Sequence, residues 1–207
     1  MVVIDNFSGR IDELVRNGRS SAYAPVEGFP GIRAAADRTY LDPMLPMLGD
    51  IFGRAFGFRQ GYRIEACDFS IVSVQVSRLS PGQSIPHHDD PGPGVLALLH
   101  YTQGPESGGT AFYRQRRTGF ESVRPERLAA YEEALKLDDR EFGAIPKSYV
   151  YGHSERYEMI GEIEAQPDRA IIYRGRTLHS GIIPIEPDPG RAVEAGRMTI
   201  NTFLSGR

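Results

Sequence analysis

Residues 86–92 read PHHDDPG and place two histidines directly before two aspartates. Imidazole and carboxylate groups bind first-row transition metals, and residues i and i+2 of an extended segment point to the same side. His87 could therefore reach one ion together with Asp89, and His88 could do so with Asp90. The alternative is an ordinary polar turn, because Asp, Pro and Gly are typical turn residues. Residue chemistry alone leaves both pairings and the turn open.

A catalytic metal held by one histidine and one carboxylate needs a further ligand. The facial triad of two histidines and one carboxylate leaves coordination positions open and is the arrangement of non-haem Fe(II) oxygenases. Of the remaining histidines, His100 lies in the apolar run LALLHY, which favours a core position. His153 lies in the polar stretch YVYGHSER, which is typical of a surface loop. His179 follows an apolar run and a turn, and Gly181 beside it permits close backbone approach. His179 is therefore the candidate third ligand.

The last apolar segment, RMTINTFL at 197–204, carries a second polar pattern. Arg197, Thr199 and Asn201 share one face of a strand, and they alternate with Met198, Ile200 and Thr202. If that face looks into a barrel, the buried guanidinium needs an anionic partner. A bound dicarboxylate would supply one, held by Arg197 and by the hydroxyl of Thr199. The alternative is an ordinary strand that exposes Arg197 at its first position.

The pattern of apolar residues predicts the elements that would position these side chains. Ahead of residue 66 we expect a short strand at 2–4, a helix at 8–17 ended by Gly18, irregular chain over 19–42 and a helix at 43–56. From residue 66 onward strands dominate. They are predicted at 69–77, 95–101, 110–114, 157–164, 170–174, 178–183 and 197–204. The run at 95–101 is continuously apolar, which favours a strand buried on both faces.

The predicted fold class is mainly β (α+β), because short strands separated by Gly/Pro turns are typical of sandwiches and barrels. We expect one domain over 1–207. Residues 1–65 would form a helical support that braces one sheet, and residues 66–207 would form the core. A helix at 125–137 lies in an insertion of about 115–156.

The amino-acid composition limits the classes of partner and the cellular compartment that we expect. The net charge of −3, without a block of like charge, gives no electrostatic reason to expect nucleic acid. Cys67 is the only cysteine, which excludes an intramolecular disulfide and a Cys-based zinc cluster and favours a reducing compartment. No signal peptide and no run approaching the ~20 apolar residues of a membrane span are present in the sequence. We expect a cytoplasmic protein without a membrane partner.

Taken in order, these segments resemble the Fe(II)/2-oxoglutarate-dependent dioxygenase superfamily, near its prolyl-hydroxylase-like branch. The resemblance covers about residues 66–204. The segments that carry it are PHHD (86–89), GGTAFYR (108–114), HSG (179–181) and RMT (197–199). Each is short, and the ordered set is the more specific signal. The fold that the resemblance implies is a double-stranded β-helix, or jelly roll.

The resemblance also implies roles for individual residues. The Fe(II) ligands would be His87, Asp89 and His179, and Pro86 matches the position before the first ligand, which favours this pairing over His88/Asp90. The distal carboxylate of the cosubstrate 2-oxoglutarate would pair with Arg197, supported by Thr199. The implied activity is a dioxygenase that hydroxylates a small-molecule or peptide substrate.

The sequence departs from the superfamily in two places. The segment between His179 and Arg197 is long, which makes Arg191 a fallback for the cosubstrate arginine. The branch usually has a tyrosine on the strand before the first ligand, and its role would fall to Gln75, Ser77 or Arg78.

Several alternatives stay open. The 115–156 insertion could be a lid over the open face or an amphipathic decoration on one sheet. The chain could also be a non-catalytic jelly-roll binding module or another cupin-like metal enzyme. A serine hydrolase is excluded because no G-x-S-x-G segment is present. The sequence leaves the substrate and the oligomeric state open.

Overall fold

The computed structural model describes residues 1–88 and 94–206. Its α-helices are α1 (Ile11–Arg19), α2 (Leu45–Phe56), α3 (Leu128–Phe142) and α4 (Ala192–Ala195). Its strands are β1 (Val2–Ile4), β2 (Ala24–Pro25), β3 (Gly31–Ala35), β4 (Tyr62–Val72), β5 (Val95–Tyr101), β6 (Gly109–Gln115), β7 (Tyr157–Glu164), β8 (Ala170–Arg174), β9 (His179–Ile182) and β10 (Met198–Gly206). No helix in this part of the chain has the length and apolar character to cross a bilayer. Asp89 and Asp90 lie outside the described residues.

The strands form two antiparallel sheets. The larger sheet has the order β1-β8-β5-β10-β4-β3-β2, and the smaller sheet has the order β7-β6-β9. Strand β10 follows β4 and β5 in sequence, yet it lies between them in the sheet. The two halves of the larger sheet are therefore joined only when this last strand is in place. The predicted mainly β class, with helices added, agrees with this architecture.

The two N-terminal helices pack against the larger sheet. Leu14 of α1 and the α2 residues Leu48 and Phe52 share one apolar cluster with Ile71 and Ile200 of the sheet. Each such buried side chain stabilises the fold by roughly 1.5–3 kcal/mol. The helix-facing side of the sheet is therefore the main core, and the opposite side is left to line an interior space.

Strand β5 is buried on both faces, as its continuous apolar run predicted. Leu96 and Leu98 pack into the helix-side cluster, whereas Ala97 and Tyr101 belong to a second cluster on the other face. Strand β10 alternates in the same way, with Met198, Ile200 and Leu204 on the helix side. Thr199 and Asn201, on the opposite face of the strand, consequently line the interior space.

Three predicted elements were wrong in position. Residues 19–42 are not mostly irregular, because Gly31–Ala35 forms β3 and pairs with β4. The predicted strand at 69–77 begins earlier, at Tyr62, and ends at Val72, after which a 3-10 helix covers Val76–Arg78. Helix α1 continues through Gly18 to Arg19. A Cβ atom at Gly18 would lie 2.6 Å from the sulfur of Met198, so packing rather than helix termination requires glycine there.

A buried ionic network joins the N-terminus to the sheet. His100 is fully buried, as predicted, and its Nε2–H donates to the Asp168 carboxylate at 2.8 Å. The same carboxylate accepts hydrogen bonds from the backbone and hydroxyl of Ser8 and from the backbone of Gly9. Burial raises the pKa of the Asp168 carboxyl, but these hydrogen bonds outweigh burial and hold that pKa well below its usual range.

Replacing Asp168 with asparagine is expected to lower the free energy of unfolding at neutral pH by about 3 kcal/mol, because buried donors lose a charged acceptor. Since the folded-state pKa is depressed, the stabilisation is present above the unfolded value of about 3.9 and is lost as pH falls below it. Urea unfolding of both proteins at neutral and acidic pH measures this. Asparagine tolerates the left-handed backbone at this position (φ 62°). The control is Asp5→Asn, whose exposed carboxylate pairs with Arg169; an equal loss in both variants would contradict the prediction.

Candidate functional site

His87 and His179, which are remote in sequence, meet at the edge of the smaller sheet. His179 is the first residue of β9, and its backbone forms an isolated antiparallel bridge with His87. The His87 N–H donates to the His179 carbonyl at 2.7 Å, and the His179 N–H donates to the His87 carbonyl at 2.9 Å. The two ring centroids lie 5.7 Å apart. Backbone pairing therefore fixes the two imidazoles side by side.

The orientation of the His179 ring is set by its own backbone neighbourhood. Its Nδ1 lies 2.8 Å from the carbonyl oxygen of Thr177, so Nδ1–H donates there and Nε2 keeps its lone pair. The ring of Tyr173 packs against it edge to face, with centroids 4.8 Å apart. A histidine that ligates a metal characteristically donates its other ring N–H in this way.

A cavity of about 300 Å³ opens beside the two histidines, between the two sheets. Among the described residues, four of the predicted site residues line it, namely His87, His179, Arg197 and Thr199. Its apolar walls include Val72, Ala97, Leu99 and Phe203. The fifth predicted residue, Asp89, falls in the segment outside the described residues.

Arg197 lies half-buried just before β10. Its Nε donates to the Ser107 carbonyl at 3.1 Å and one terminal nitrogen donates to the Gly109 carbonyl at 2.9 Å. Burial lowers the pKa of Arg197, partly offset by Tyr101 and Tyr173, yet a guanidinium stays charged at neutral pH. The two carbonyls fix the guanidinium plane at the cavity wall.

Hydroxyl groups surround the same end of the cavity. Thr199 is buried, and its hydroxyl donates to the side-chain oxygen of Asn201 at 3.0 Å. Thr110 lines the cavity from β6 and accepts a hydrogen bond of 2.8 Å from the Tyr101 hydroxyl. The sequence did not indicate Thr110, because the short apolar strand around it carries no polar alternation.

The alternative residues lie elsewhere. His88 packs edge to face against Tyr131 of α3, at 5.5 Å between ring centroids, and lines a different cavity. The fallback Arg191 is exposed and pairs with Glu194 at 3.1 Å. The three residues proposed to replace the missing tyrosine, Gln75, Ser77 and Arg78, are outside the lining of the main cavity, as is Arg191.

Residues outside the predicted metal and cosubstrate sites also line the cavity. Tyr149, from the 115–156 insertion, lines it and donates a hydrogen bond to the Val74 carbonyl. Arg33 of β3 and Phe29 before it also line the cavity. These two were missed because the segment that carries them was predicted to be irregular.

Solved structures share this architecture. The non-heme alpha ketoglutarate dependent epimerase SnoN from nogalamycin biosynthesis superposes with a TM-score of 0.57 and 11% identity, over 99% of this chain and 78% of that chain. HygX from Streptomyces hygroscopicus, solved with nickel, 2-oxoglutarate and hygromycin B, gives a TM-score of 0.52 and 13% identity, over 99% of this chain and 82% of that chain. The chain therefore shares its fold with SnoN and HygX.

Sequence comparison gives one assignment. No curated protein matches the chain. The family of unknown function DUF6445 matches it over residues 1–204. Because this match spans nearly the whole sequence, the protein belongs to the DUF6445 family.

Proposed function

We propose that this protein is an Fe(II)- and 2-oxoglutarate-dependent oxygenase that hydroxylates a small-molecule or peptide substrate. The observation that carries the proposal is the backbone bridge between His87 and His179 at the wall of a cavity that also holds Arg197 and Thr199. The fold shared with SnoN and HygX supports it. In this proposal the two sheets form a double-stranded β-helix within one domain, supported by residues 1–65 and extended by the 115–156 insertion.

The donor set fits iron. His87 and His179 would supply two imidazoles, and the hydrogen bond from Nδ1 to the Thr177 carbonyl would orient the His179 ring for metal binding through Nε2. Across residues 1–88 and 94–206, no group of three histidine, cysteine, aspartate or glutamate side chains is placed to hold a metal. We propose Asp89, two residues after His87, as the carboxylate that completes the facial triad.

The described residues also include side chains that would bind the cosubstrate. Arg197, oriented by the Ser107 and Gly109 carbonyls, would form paired hydrogen bonds with the distal carboxylate of 2-oxoglutarate. The Thr199 hydroxyl would add a further hydrogen bond. When bound, Fe(II) supplies the oxygen activation that couples decarboxylation of 2-oxoglutarate to succinate and CO₂ with oxidation of the substrate.

The cavity walls would protect this chemistry from water. The apolar side chains of Val72, Leu99 and Phe203 lower the local dielectric, which strengthens the pairing between Arg197 and a bound carboxylate. Tyr173 holds the His179 ring from the side. The chain would thus orient the metal ligands and the cosubstrate before the substrate arrives.

The proposal is tested by loading anaerobic protein with Fe(II) and 2-oxoglutarate, admitting oxygen and measuring succinate, alongside the affinity for 2-oxoglutarate. His87→Ala is expected to weaken Fe(II) binding by more than about 100-fold, whereas His88→Ala, which alters a ring facing Tyr131, leaves it unchanged. Calorimetric titration with Fe(II) measures this difference. A metal-loaded protein that fails to bind 2-oxoglutarate would contradict the oxygenase assignment, and loss of metal binding only in His88→Ala would favour the His88/Asp90 pairing.

A further inference from the structure

An arginine cluster lies near His179, outside the lining of the main cavity. Arg174 is the last residue of β8 and Arg176 lies in the turn before β9, while Arg124 and Arg127 lie in the segment before α3. We infer that this arginine cluster binds a phosphate group of the primary substrate. The assignment of the phosphate to the molecule that is oxidised rests on the proposed function, to which it adds a substrate class.

Backbone hydrogen bonds bring the two arginine-bearing segments together. The Val123 N–H donates to the Arg176 carbonyl at 2.9 Å. The Arg127 N–H donates to the Arg124 carbonyl at 2.8 Å and closes a turn directly after Val123. Residues that are remote in sequence are therefore held at one place on the molecule.

Arg176 is the centre of the arginine cluster and lacks a compensating anion. It is half-buried and forms no ion pair with any residue that the structure describes. Burial lowers the pKa of Arg176, and the other three guanidiniums of the cluster lower it further, whereas Glu126 opposes them. Glu126 lies 3.9 Å from Arg124 in an exposed pair, which contributes little. Four positive charges against one carboxylate leave an excess of three, which a bound anion would offset.

Side-chain contacts hold two of the other guanidiniums in place. The guanidinium carbon of Arg127 lies 4.7 Å from the centroid of the Phe120 ring, in a cation–π contact. A terminal nitrogen of Arg174 donates to the Phe56 carbonyl at 3.0 Å. These contacts fix the positions of the two cations without neutralising their charge.

The charge of the arginine cluster matches a phosphate monoester better than a carboxylate. A phosphate monoester carries about 1.5 to 2 negative charges at neutral pH and has three strong acceptor oxygens, whereas a carboxylate carries one charge and two oxygens. Guanidinium groups form paired hydrogen bonds with phosphate oxygens, and several of them can share one phosphate. A dianion is therefore the ligand that offsets most of the positive excess.

The arginine cluster is close to the proposed metal centre. Arg176 precedes His179 by three residues, and three residues of extended chain span at most about 11 Å. The Thr177 carbonyl, in the same turn, accepts the hydrogen bond from the His179 ring. A phosphate bound here would thus lie within one small molecule's length of the metal ligands.

A second cavity, of about 250 Å³, lies between α3 and the segment that carries His87. It is lined at one end by Leu128, which directly follows Arg127, and it is also lined by His87, which lines the main cavity as well. The exposed Glu132 lines this second cavity one helical turn beyond Leu128, so a dianion is favoured at the Arg127 end. The remaining walls are mainly apolar or aromatic, namely Ile85, Pro86, Tyr131 and Leu135. An apolar or aromatic body attached to the phosphate would pack there.

The first experiment compares phenyl phosphate with phenyl sulfate, which has the same shape but a single negative charge. Binding is measured by ligand-observed NMR at fixed ionic strength, because exposed charges are screened by salt. The phosphate is expected to bind at least about tenfold more tightly than the sulfate, and also more tightly than inorganic phosphate, which lacks the ring.

Variants of the arginine cluster separate binding from a structural role. Arg176→Gln and Arg127→Gln are each expected to weaken phenyl phosphate binding by about tenfold, and Arg176→Lys is expected to retain part of the affinity. Because the guanidiniums repel one another, the glutamine variants should keep or raise the melting temperature. The matched control, Arg54→Gln, removes an exposed arginine paired with Asp50 and should leave binding unchanged.

A paramagnetic metal tests whether the bound phosphate lies beside the metal centre. In protein loaded with Mn(II) and saturated with 2-oxoglutarate, the ring protons of phenyl phosphate are expected to relax faster than in metal-free protein. Arg176→Gln should remove this enhancement, whereas direct binding of the phosphate to Mn(II) would preserve it. Binding without any enhancement would contradict the assignment of the phosphate to the primary substrate.

Further results would overturn the phosphate site itself. They are absence of phenyl phosphate binding, equal binding of the sulfate, or unchanged binding in both Arg176→Gln and Arg127→Gln. Binding of a single-stranded oligonucleotide without binding of phenyl phosphate would also overturn it, because the arginine cluster would then serve a nucleic acid. If the wild type binds neither Mn(II) nor 2-oxoglutarate, the proposed function fails instead. The phenyl phosphate series on metal-free protein then still tests the arginine cluster.

Discussion

Replacement of His179 by alanine is expected to lower Fe(II) affinity by more than about 100-fold and to abolish succinate formation. Loss of an outer partner of a metal ligand alone typically costs about 10–100-fold in affinity, and removal of the ligand itself exceeds that range. The loss of affinity is expected to be large because two contacts fix the orientation of the His179 ring, a hydrogen bond to the Thr177 carbonyl and packing against Tyr173. Calorimetry with Fe(II) and a single-turnover succinate assay measure the two effects.

The matched control for this variant is His153→Ala. His153 is exposed in a loop, where its Nδ1 accepts a hydrogen bond from the Met159 backbone. It should leave metal binding and succinate formation unchanged. Because the backbone bridge to His87 does not need the imidazole, His179→Ala should also keep its melting temperature. Unchanged Fe(II) affinity in a folded His179→Ala protein would remove His179 from the metal centre.

The structure was predicted best from the sequence where the local pattern of residues agrees with their burial in the fold. The run at 95–101 appears as β5 at the same residues, because a strand buried on both faces needs no alternation to be recognised. The alternation after Arg197 also appears, with Thr199 and Asn201 lining the cavity and Ile200 in the core. In both cases the spacing of the residues was sufficient to predict their burial, because the position of a residue in a strand determines the face on which it lies.

The prediction was poorest where the structure depends on a distant partner. Strand β3 forms because it pairs with β4, and nothing in residues 31–35 alone requires an extended conformation. The residues that β3 brings to the cavity, above all Arg33, were consequently missed. The prediction that Gly18 ends the first helix was wrong for a related reason. The role of Gly18 depends on its packing against Met198, which is far along the chain. Propensity describes local preference, whereas these positions are decided by contacts across the fold.

Arg197→Gln is expected to weaken 2-oxoglutarate binding by about 100-fold while leaving Fe(II) affinity unchanged. Two charge-assisted hydrogen bonds to the distal carboxylate would be lost, and about 3 kcal/mol corresponds to that factor. The effect is large because the half-buried guanidinium is already fixed by the Ser107 and Gly109 carbonyls, so little ordering accompanies binding. Titration of the Ni(II)-loaded protein with 2-oxoglutarate measures it.

Two further variants separate charge recognition from a structural role. Arg197→Lys keeps a positive charge without the planar fork and should recover part of the affinity, whereas a purely structural effect would lower the melting temperature of both variants without this recovery. Arg191→Gln removes the exposed arginine paired with Glu194 and should change nothing. If Arg191→Gln weakens 2-oxoglutarate binding and Arg197→Gln does not, the cosubstrate lies against the segment before β10 and not in the cavity beside His87 and His179.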